Sequence, residues 1–457
     1  MSRFWFHGAA RCSNSQAHSA PSEYRIHPLL QKYAAFQLGH AVAKEQAACR
    51  ERFINHFTEE VEISSREGED GAAKIDPIIG NVMKAIREAA GLGWHRKVSD
   101  TVLALAVGTR FFESRNLEPE SVPLLELAVK AAGQLDDPDR VAAHTAHLGN
   151  ALQHIGRLKE AILKYETAIT IVRKTGNDYD LSSNLQNLGV AMLSTGQNPA
   201  QAEKVLRKAF DVAKRAQNWD ALIGTLSALG GLCQQVGRLE DARNFYSNAL
   251  QAARLFKNRL AEGSNLSNGG LVADAMGDVV EAERMIREAL AIAREIGDRR
   301  GEGNRLGHLG GIIIRRAEKL PAGPERFCLF ENAREQINAA LRAAQETRDQ
   351  EKIASWLMNL GATYRHTKDN DRVLALFREA LTVATESGFA QVESQIRYNL
   401  GTALVECGQL EAALAELRQS GALLDKLGSP RAVIAHQRAA QVAMVLADQR
   451  AKRKTAD

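Results

Sequence analysis

The chain has 457 residues, of which 45% are hydrophobic, 5% aromatic and 25% charged, with 10 prolines and a formal net charge of +4. That length is far too great for one compact core but suits an array of stacked helices. The two charge signs are interspersed and nearly balanced, so direct nucleic-acid binding receives no support. No apolar run reaches the roughly 18 residues that a membrane span needs, and the five cysteines form no paired motif. We therefore expect a cytoplasmic protein, with organelle targeting as the alternative because the first 22 residues contain no acid.

The first 97 residues divide into a polar segment and a helical region. We expect residues 1–22 to form a disordered or wing-like segment and residues 23–97 to be helical. Within the second segment the motif Ile26-His27-Pro28 precedes Leu29-Leu30. Proline suits the first turn of a helix, so a helix is predicted to begin there.

This motif and the helical stretch after it resemble the end of the winged-helix region and the spacer of STAND ATPases. The resemblance implies that His27 is the remnant of a nucleotide sensor. The alternative is a histidine that only caps or lines the start of a helix. A working STAND ATPase also needs a phosphate-binding Gly-x-x-x-x-Gly-Lys-Ser/Thr loop, which this sequence lacks. We therefore expect no enzyme activity and no cofactor.

From residue 98 onward the sequence is periodic. Glycines that follow Leu, or Gly in one copy, recur at spacings of 40, 41, 40, 40, 51 and 40 residues. They are Gly149, Gly189, Gly230, Gly270, Gly310, Gly361 and Gly401. A fixed period of this size indicates a stack of similar supersecondary units.

The small residues inside each period indicate a pair of antiparallel helices, A and B. A second glycine follows seven residues after the first in five copies, where a left-handed turn would end helix A. These second glycines are Gly156, Gly196, Gly237, Gly277 and Gly408. Two alanines follow in most helices B, and a large residue such as Tyr165, Tyr246 or Phe377 comes three positions before the second alanine. Glycine in helix A would let the two backbones approach closely where they cross.

This spacing resembles the tetratricopeptide repeat over residues 137–428. HEAT repeats share the period, but their proline and Asp/Arg signature is missing. The resemblance implies an all-α fold, a right-handed superhelix of about seven to eight 40-residue helix pairs. We expect the array to cover residues 98–428, with a degenerate first repeat at 98–133. A capping helix at 429–450 and a basic tail at 451–457 would follow.

The 51-residue step contains eleven extra residues, and Pro321-Ala322-Gly323-Pro324 lies among them. We predict an inserted loop at about residues 318–328. Such a loop would lie beside the binding face or serve only as a spacer.

In tetratricopeptide arrays helix A lines the concave face, and the residue two positions before its glycine points into it. In this chain amides and imidazoles dominate that position, which we call the amide column. Its members are His147, Asn187, Ala228, Asn268, His308, Asn359 and Asn399. Asparagine offers a donor and an acceptor together and so matches the backbone of an extended peptide. The alternative is that these amides form hydrogen bonds between neighbouring repeats.

Charged residues and further histidines accompany the amide column. Arg315 and Arg365 add positive charge to its C-terminal half, although Asp274 and Glu406 lie nearby. His144 and His147 share a helix face, but no Cys, Asp or Glu lies within one turn to complete a metal site. We therefore predict no metal site and interpret these histidines as lining the concave face.

These observations predict a non-catalytic module that binds a protein or peptide, without membrane or direct nucleic-acid contacts. The first hypothesis is the sensor arm of a STAND-type signalling or transcriptional regulator. The alternative is a free-standing, cytosolic, peptide-binding adaptor or scaffold. The sequence is compatible with a homo-oligomer in either case.

Overall fold

The computed structural model describes residues 43–108, 111–114, 117–196, 198–365, 369–429 and 431–454. All regular structure in these ranges is helical, and they contain no strand. This confirms the all-α prediction. The chain divides into two compact units, an N-terminal unit of Met1–Ser114 with Lys130–Leu135 and an array unit of Arg115–Val129 with Asp136–Asp457. None of the described helices is both long and apolar enough to span a membrane.

The N-terminal unit consists of one 23-residue helix and several shorter helices around a small aliphatic core. Ile54 and Val61 of the first helix are fully buried, as are Val82 and Ile86 of the third. The helices are α1 (Ala43–Ser65), α2 (Glu69–Ile75), a 3-10 turn (Asp76–Ile78), α3 (Ile79–Gly91), α4 (His95–Leu103), a π-helical turn (Ala104–Gly108) and α5 (Phe111–Ser114). The unit boundary after residue 114 lies within the segment 98–133 that was predicted as a degenerate first repeat.

A long helix, α6 (Glu118–Gln134), is divided between the two units. The array unit then contains seven consecutive helix pairs and one last helix. The pairs are α7 (Pro138–His154) with α8 (Leu158–Thr175), α9 (Asp178–Thr195) with α10 (Pro199–Arg215), α11 (Trp219–Gln235) with α12 (Leu239–Leu255), α13 (Arg259–Ala275) with α14 (Val279–Glu295), α15 (Arg299–Glu318) with α16 (Pro324–Glu346), α17 (Gln350–Tyr364) with α18 (Asn370–Glu386) and α19 (Ala390–Glu406) with α20 (Leu410–Lys426). The last helix is α21 (Ala432–Lys454). Each helix packs against the next along the chain, as in a solenoid.

Helices A and B of each pair cross at the predicted glycine. A Cβ atom added at Gly230 would lie 2.9 Å from Cε1 of Tyr246, and one added at Gly361 would lie 2.8 Å from Cε1 of Phe377. In every pair the large side chain of helix B lies against that glycine of helix A. The side chains concerned are Tyr165, Leu206, Tyr246, Ile286, Ile337, Phe377 and Leu417. Contacts this short leave no room for a side chain, so glycine is required at the crossing.

The turns use left-handed backbone, as the second glycine of each period predicts. Gly156, Gly237 and Gly277 have φ values of 80°, 80° and 89°. The turns from helix B to the next helix A also contain a left-handed residue, which is glycine in some copies. It is Gln217 (φ 54°) before α11 and Arg348 (φ 54°) before α17. Side chains with a Cβ are disfavoured in this region, so these two turns are strained.

The eleven extra residues of the 51-residue step lengthen one helix pair. Helix α15 has 20 residues and α16 has 23, whereas α11 to α14 have 17 each. The loop predicted over 318–328 is confined to residues 319–323, because Pro324 begins α16 at a position where proline is favoured. The C-terminal boundary also differs, since α21 runs through residues 451–454, which were predicted as the start of the basic tail.

A repeated pattern of ion pairs precedes this insertion and extends across it. Glu262 accepts hydrogen bonds from Arg254 at 2.9 Å and from Arg259 at 2.5 Å. One repeat later, Glu302 accepts from Arg294 at 2.9 Å and from Arg299 at 2.7 Å. The ladder continues across the extra residues, where Arg299 bonds to Glu346 just as Arg259 bonds to Glu295. The insertion therefore leaves this ion-pair pattern unchanged.

Candidate functional site

The A helices share one face of the array unit. From α7 to α19, each A helix contacts the next A helix. Consecutive B helices contact one another less. The members of the amide column lie on these A helices, and all seven are intermediate between buried and exposed. We call this surface the helix A face.

Two members of the amide column are bonded to a neighbouring repeat. Asn187 donates from Nδ2 to Oδ1 of Asn150 at 3.2 Å, and Asn150 also accepts the hydroxyl of Tyr165 at 2.7 Å. The Nδ1 atom of His308 lies 3.4 Å from the Ser267 hydroxyl. Both contacts connect one A helix to the previous one. At these two positions the column therefore contributes to the packing of repeats.

His308 also packs edge-on against the ring of Trp356 in the next A helix, with 5.9 Å between ring centroids. Burial, together with Lys352, Arg305 and Arg315, lowers its pKa to about 4. Burial also lowers the pKa of His147. Both imidazoles are therefore neutral near pH 7 and act there as hydrogen-bonding groups without charge.

The three remaining asparagines form no such contacts. Within the described part of the chain, the side chains of Asn268, Asn359 and Asn399 have no hydrogen-bond partner in the protein. The carboxamides of these partly exposed residues are free to bond to water or to a ligand. The structure thus separates the amide column into positions that join repeats and positions that remain available.

The two predicted cations of the helix A face are paired across repeats. Arg315 donates from Nε to Oδ1 of Asp274 at 2.9 Å, which joins α15 to α13. Arg365 binds Glu406, which joins the end of α17 to α19. Each guanidinium is already neutralised by a carboxylate, so neither provides an unpaired positive charge for a ligand.

Other predicted positions carry no assigned role. His27 lies outside the described residues. His144 is fully buried and His147 is partly exposed, although they share one face of α7. No group of three or more His, Cys, Asp or Glu residues in the described ranges is placed to hold a metal ion.

The joint between α9 and α11 is closed by one asparagine. Asn218 caps α11 by accepting the backbone N–H of Ala221 at 3.1 Å. Its Nδ2 atom also lies 3.0 Å from the carbonyl of Tyr179 and from the hydroxyls of Ser182 and Ser183 in α9. Asn218 is only 1% exposed, so it fills the space between the two A helices.

The last joint is open in comparison. Ser429 follows left-handed Gly428, as Asn218 follows left-handed Gln217. Among the described residues, its hydroxyl accepts only the backbone N–H of Arg431, at 3.4 Å. Helices α19 and α21 make no contact comparable to those between earlier A helices. A cavity of about 260 Å³, which we call the C-terminal cavity, lies between them.

Polar side chains without partners surround this cavity, and its inner wall is apolar. The lining residues are Gln391, Ser394, Gln395, Tyr398, Asn399, Leu424, Arg431 and Ile434. The lining contains no acidic residue. In the described ranges, the tips of Gln391, Gln395, Tyr398, Asn399 and Arg431 have no hydrogen bond or ion pair with the protein.

Sequence reasoning found Asn399 but missed the cavity beside it. A usable signal exists in α19, where amides occupy positions 391, 395 and 399 on one face of the helix. In the other A helices the two earlier positions of this series are never both amides; in α17, for example, they are Glu351 and Ser355. The cavity also requires Arg431 and Ile434, which lie beyond the last repeat and so outside the repeat pattern.

A second cavity, of about 540 Å³, lies in the N-terminal unit. Its lining includes Trp94, the cations Arg96 and Lys97, and the acids Glu59 and Glu62. Lys97 already donates to Oδ1 of Asn55 at 2.6 Å, and Glu62 pairs with Arg66. The mixed charges favour no ligand class, so we assign no function to this cavity.

Several solved structures have a similar fold. A Rap protein complexed with competence and sporulation factor aligns with a TM-score of 0.56 at 13% identity, over 84% of this chain and 99% of its own. A STAND protein from Pyrococcus horikoshii with a tetratricopeptide repeat sensor aligns with a TM-score of 0.53 at 17% identity, over 81% of this chain. This chain spans only 54% of that STAND protein. A Rap conjugation gene regulator of plasmid pLS20, in complex with the Phr* peptide, aligns with a TM-score of 0.53 at 16% identity, over 77% of this chain and 96% of its own.

The sequence comparisons identify the repeat itself. No curated protein matches the chain. One tetratricopeptide repeat family model matches residues 120–215 and 222–295, and a second matches residues 353–387. The first model covers most of α6, all of α7 to α10, most of α11 and then α12 to α14, and the second covers most of α17 and all of α18. The array unit is therefore an all-α solenoid that contains tetratricopeptide repeats.

Proposed function

We propose that the chain is a non-catalytic interaction module that holds an extended peptide segment along the helix A face between α13 and α19. The available asparagines of the amide column would bond to the backbone of that peptide. The partner is a protein or peptide, and the module needs no cofactor.

The proposal rests on one observation, the free carboxamides of Asn268, Asn359 and Asn399 at the same position in three repeats. A helix gains nothing intrinsic from asparagine, which has a lower helix propensity than alanine or leucine. At Asn187 the same residue type joins two repeats, so packing accounts for it there. Packing between repeats does not explain the three free amides, because they bond to no neighbouring repeat. A peptide backbone presents N–H and C=O groups that match them.

The fold comparisons support a peptide ligand. Two structures with this fold are complexes, one with competence and sporulation factor and one with the Phr* peptide. Their identity to this chain is below 20%, so the support is at the level of fold, and the assignment of binding residues depends on the contacts described above.

The finer context that we propose is the sensor arm of a STAND-type regulator. Two observations favour it, the similarity of fold to a STAND protein with a tetratricopeptide repeat sensor and the motif Ile26-His27-Pro28. The alternative remains a free-standing cytosolic adaptor. The DNA upstream of the codon for Met1 decides between them. An in-frame phosphate-binding loop there supports the sensor arm, and an unrelated neighbouring gene supports the adaptor.

The binding role is tested with a peptide selected on the wild-type protein from a random library, titrated by fluorescence anisotropy. Each Asn→Ala change at positions 268, 359 and 399 removes hydrogen bonds worth about 0.5–1.5 kcal/mol. The triple variant should therefore bind more than about tenfold more weakly if the contributions add. Its thermal unfolding should change little, because these side chains have no partner in the protein.

Asn187→Ala is the matched control. It removes the same residue type from the same column, but its carboxamide is bonded to Asn150. We expect a lower melting temperature and a smaller effect on binding. Unchanged affinity in the triple variant, or failure to select any peptide, would contradict the proposed function.

A further inference from the structure

The C-terminal cavity differs from the rest of the helix A face. Within the described part of the chain, five polar side chains converge there without a partner, whereas the cations Arg315 and Arg365 elsewhere on the helix A face are paired with Asp274 and Glu406. The cavity also reaches Asn399, the last member of the amide column. A peptide bound along the column would therefore extend into this cavity.

The charge of the cavity lining defines the charged group that the ligand would carry. Arg431 is exposed, and its guanidinium has no acidic partner in the described chain. Glu393, which is adjacent to Ser394 of the lining, binds Arg397, as does Glu416 of α20. Asp425, which is adjacent to Leu424 of the lining, binds His436 at 2.8 Å. The cavity thus has one unneutralised positive charge, and a carboxylate is the peptide group that complements it.

The volume and polarity of the cavity define the side chain that the ligand would place there. A volume of about 260 Å³ lies below the range of roughly 300–1,000 Å³ that whole small-molecule ligands occupy, so the cavity suits one residue of a longer ligand. Leu424 is 6% exposed, and Ile434 is 54% exposed. Together with the ring of Tyr398 they form an apolar wall beside the polar tips. Burying an aliphatic side chain against this wall would remove apolar surface from water.

We propose that the C-terminal cavity binds the carboxyl-terminal residue of the peptide, with its α-carboxylate on Arg431 and an apolar side chain against Leu424 and Ile434. Gln395 and Asn399 bond to the last peptide group. The proposal rests on the proposed function and adds a direction to it. The bound peptide runs along the helix A face with its C-terminus towards α21.

The experiment uses soluble eight-residue peptides with a random sequence and a free C-terminal carboxylate, screened on the full chain. The best binder is then made in three forms: the free acid, the C-terminal carboxamide, and the free acid with glycine as its last residue. We expect the carboxamide and the glycine form each to bind about tenfold more weakly than the parent. Arg431→Gln should weaken the free acid by about the same factor and abolish the difference between acid and carboxamide.

Arg438→Gln is the control on the same helix, because Arg438 is not among the residues that line the cavity. It should leave the preference for the free acid intact. The double variant Asn268→Ala/Asn359→Ala separates the two proposals, because Asn399 also lines the cavity. If the double variant weakens binding while acid and carboxamide bind equally, the cavity proposal is overturned and the proposed function stands. If binding depends on Arg431 and the carboxylate but not on Asn268 and Asn359, the amide column is overturned and the cavity proposal stands. Failure of every peptide to bind overturns both.

Discussion

The joint between α9 and α11 and the joint between α19 and α21 use the same turn but differ in the residue after it. In the first, Asn218 connects the two A helices through three contacts of 3.0 Å and is buried. In the second, Ser429 reaches only Arg431, and a cavity remains. The two joints thus differ both in the residue after the turn and in the contact between their A helices. Turns of the same backbone conformation can therefore lead to joints that are packed differently.

The largest expected effect tests whether the helix pairs beside the two joints are equivalent. Gly230→Leu and Gly401→Leu should each lower the free energy of unfolding by about 1–3 kcal/mol, since the new side chains would overlap Tyr246 and Leu417. Urea denaturation followed by circular dichroism measures both. Gly231→Ala is the control, because its Cβ would lie 3.5 Å from the Tyr246 hydroxyl, an ordinary contact. A neutral result at Gly230 would contradict the crossing geometry.

The next effect concerns the joints themselves. Asn218→Ala removes a helix cap worth about 1 kcal/mol and leaves partners in α9 without a donor, so we expect a loss of about 1–2 kcal/mol. Ser429→Ala should change the free energy of unfolding by much less, since its single hydrogen bond is long. The same denaturation assay applies. Equal losses for the two variants would remove the distinction between a closed and an open joint.

The smallest effect concerns the turn before each joint. Gln217 has a φ of 54° and Gly428 a φ of 63°. Glycine adopts this backbone without the steric penalty of a Cβ. Gln217→Gly should therefore raise the free energy of unfolding by about 0.5–1 kcal/mol, and Gly428→Gln should lower it by a similar amount. Thermal melts of the two variants provide the measurement, and a change of the same sign in both would show that the turns are not equivalent.

The helical repeat was predictable from sequence, and much of its binding surface was not. The period, the crossing glycine and the left-handed turns result from small residues at fixed positions, where sterics allow few alternatives. The sequence did not distinguish the role of Asn187 from that of Asn359, because both occupy the same repeat position. They differ only in whether the previous repeat provides a hydrogen-bond partner. Asn187 meets Asn150, while the equivalent position before Asn359 is Gly311. The pairing of Arg365 with Glu406 likewise depends on side chains one repeat apart.

The lengthened α15–α16 pair has a practical consequence. Six residues added to α16, relative to a 17-residue helix, extend it by about 9 Å. Arg299 bonds to Glu302 and, across the added residues, to Glu346, in the same pattern in which Arg259 bonds to Glu262 and Glu295. The α15–α16 pair thus accommodates its extra residues without losing this ion-pair pattern. The turn at residues 319–323 is accordingly the place to install a fluorescent reporter or an affinity handle when the full protein is to be followed in cells.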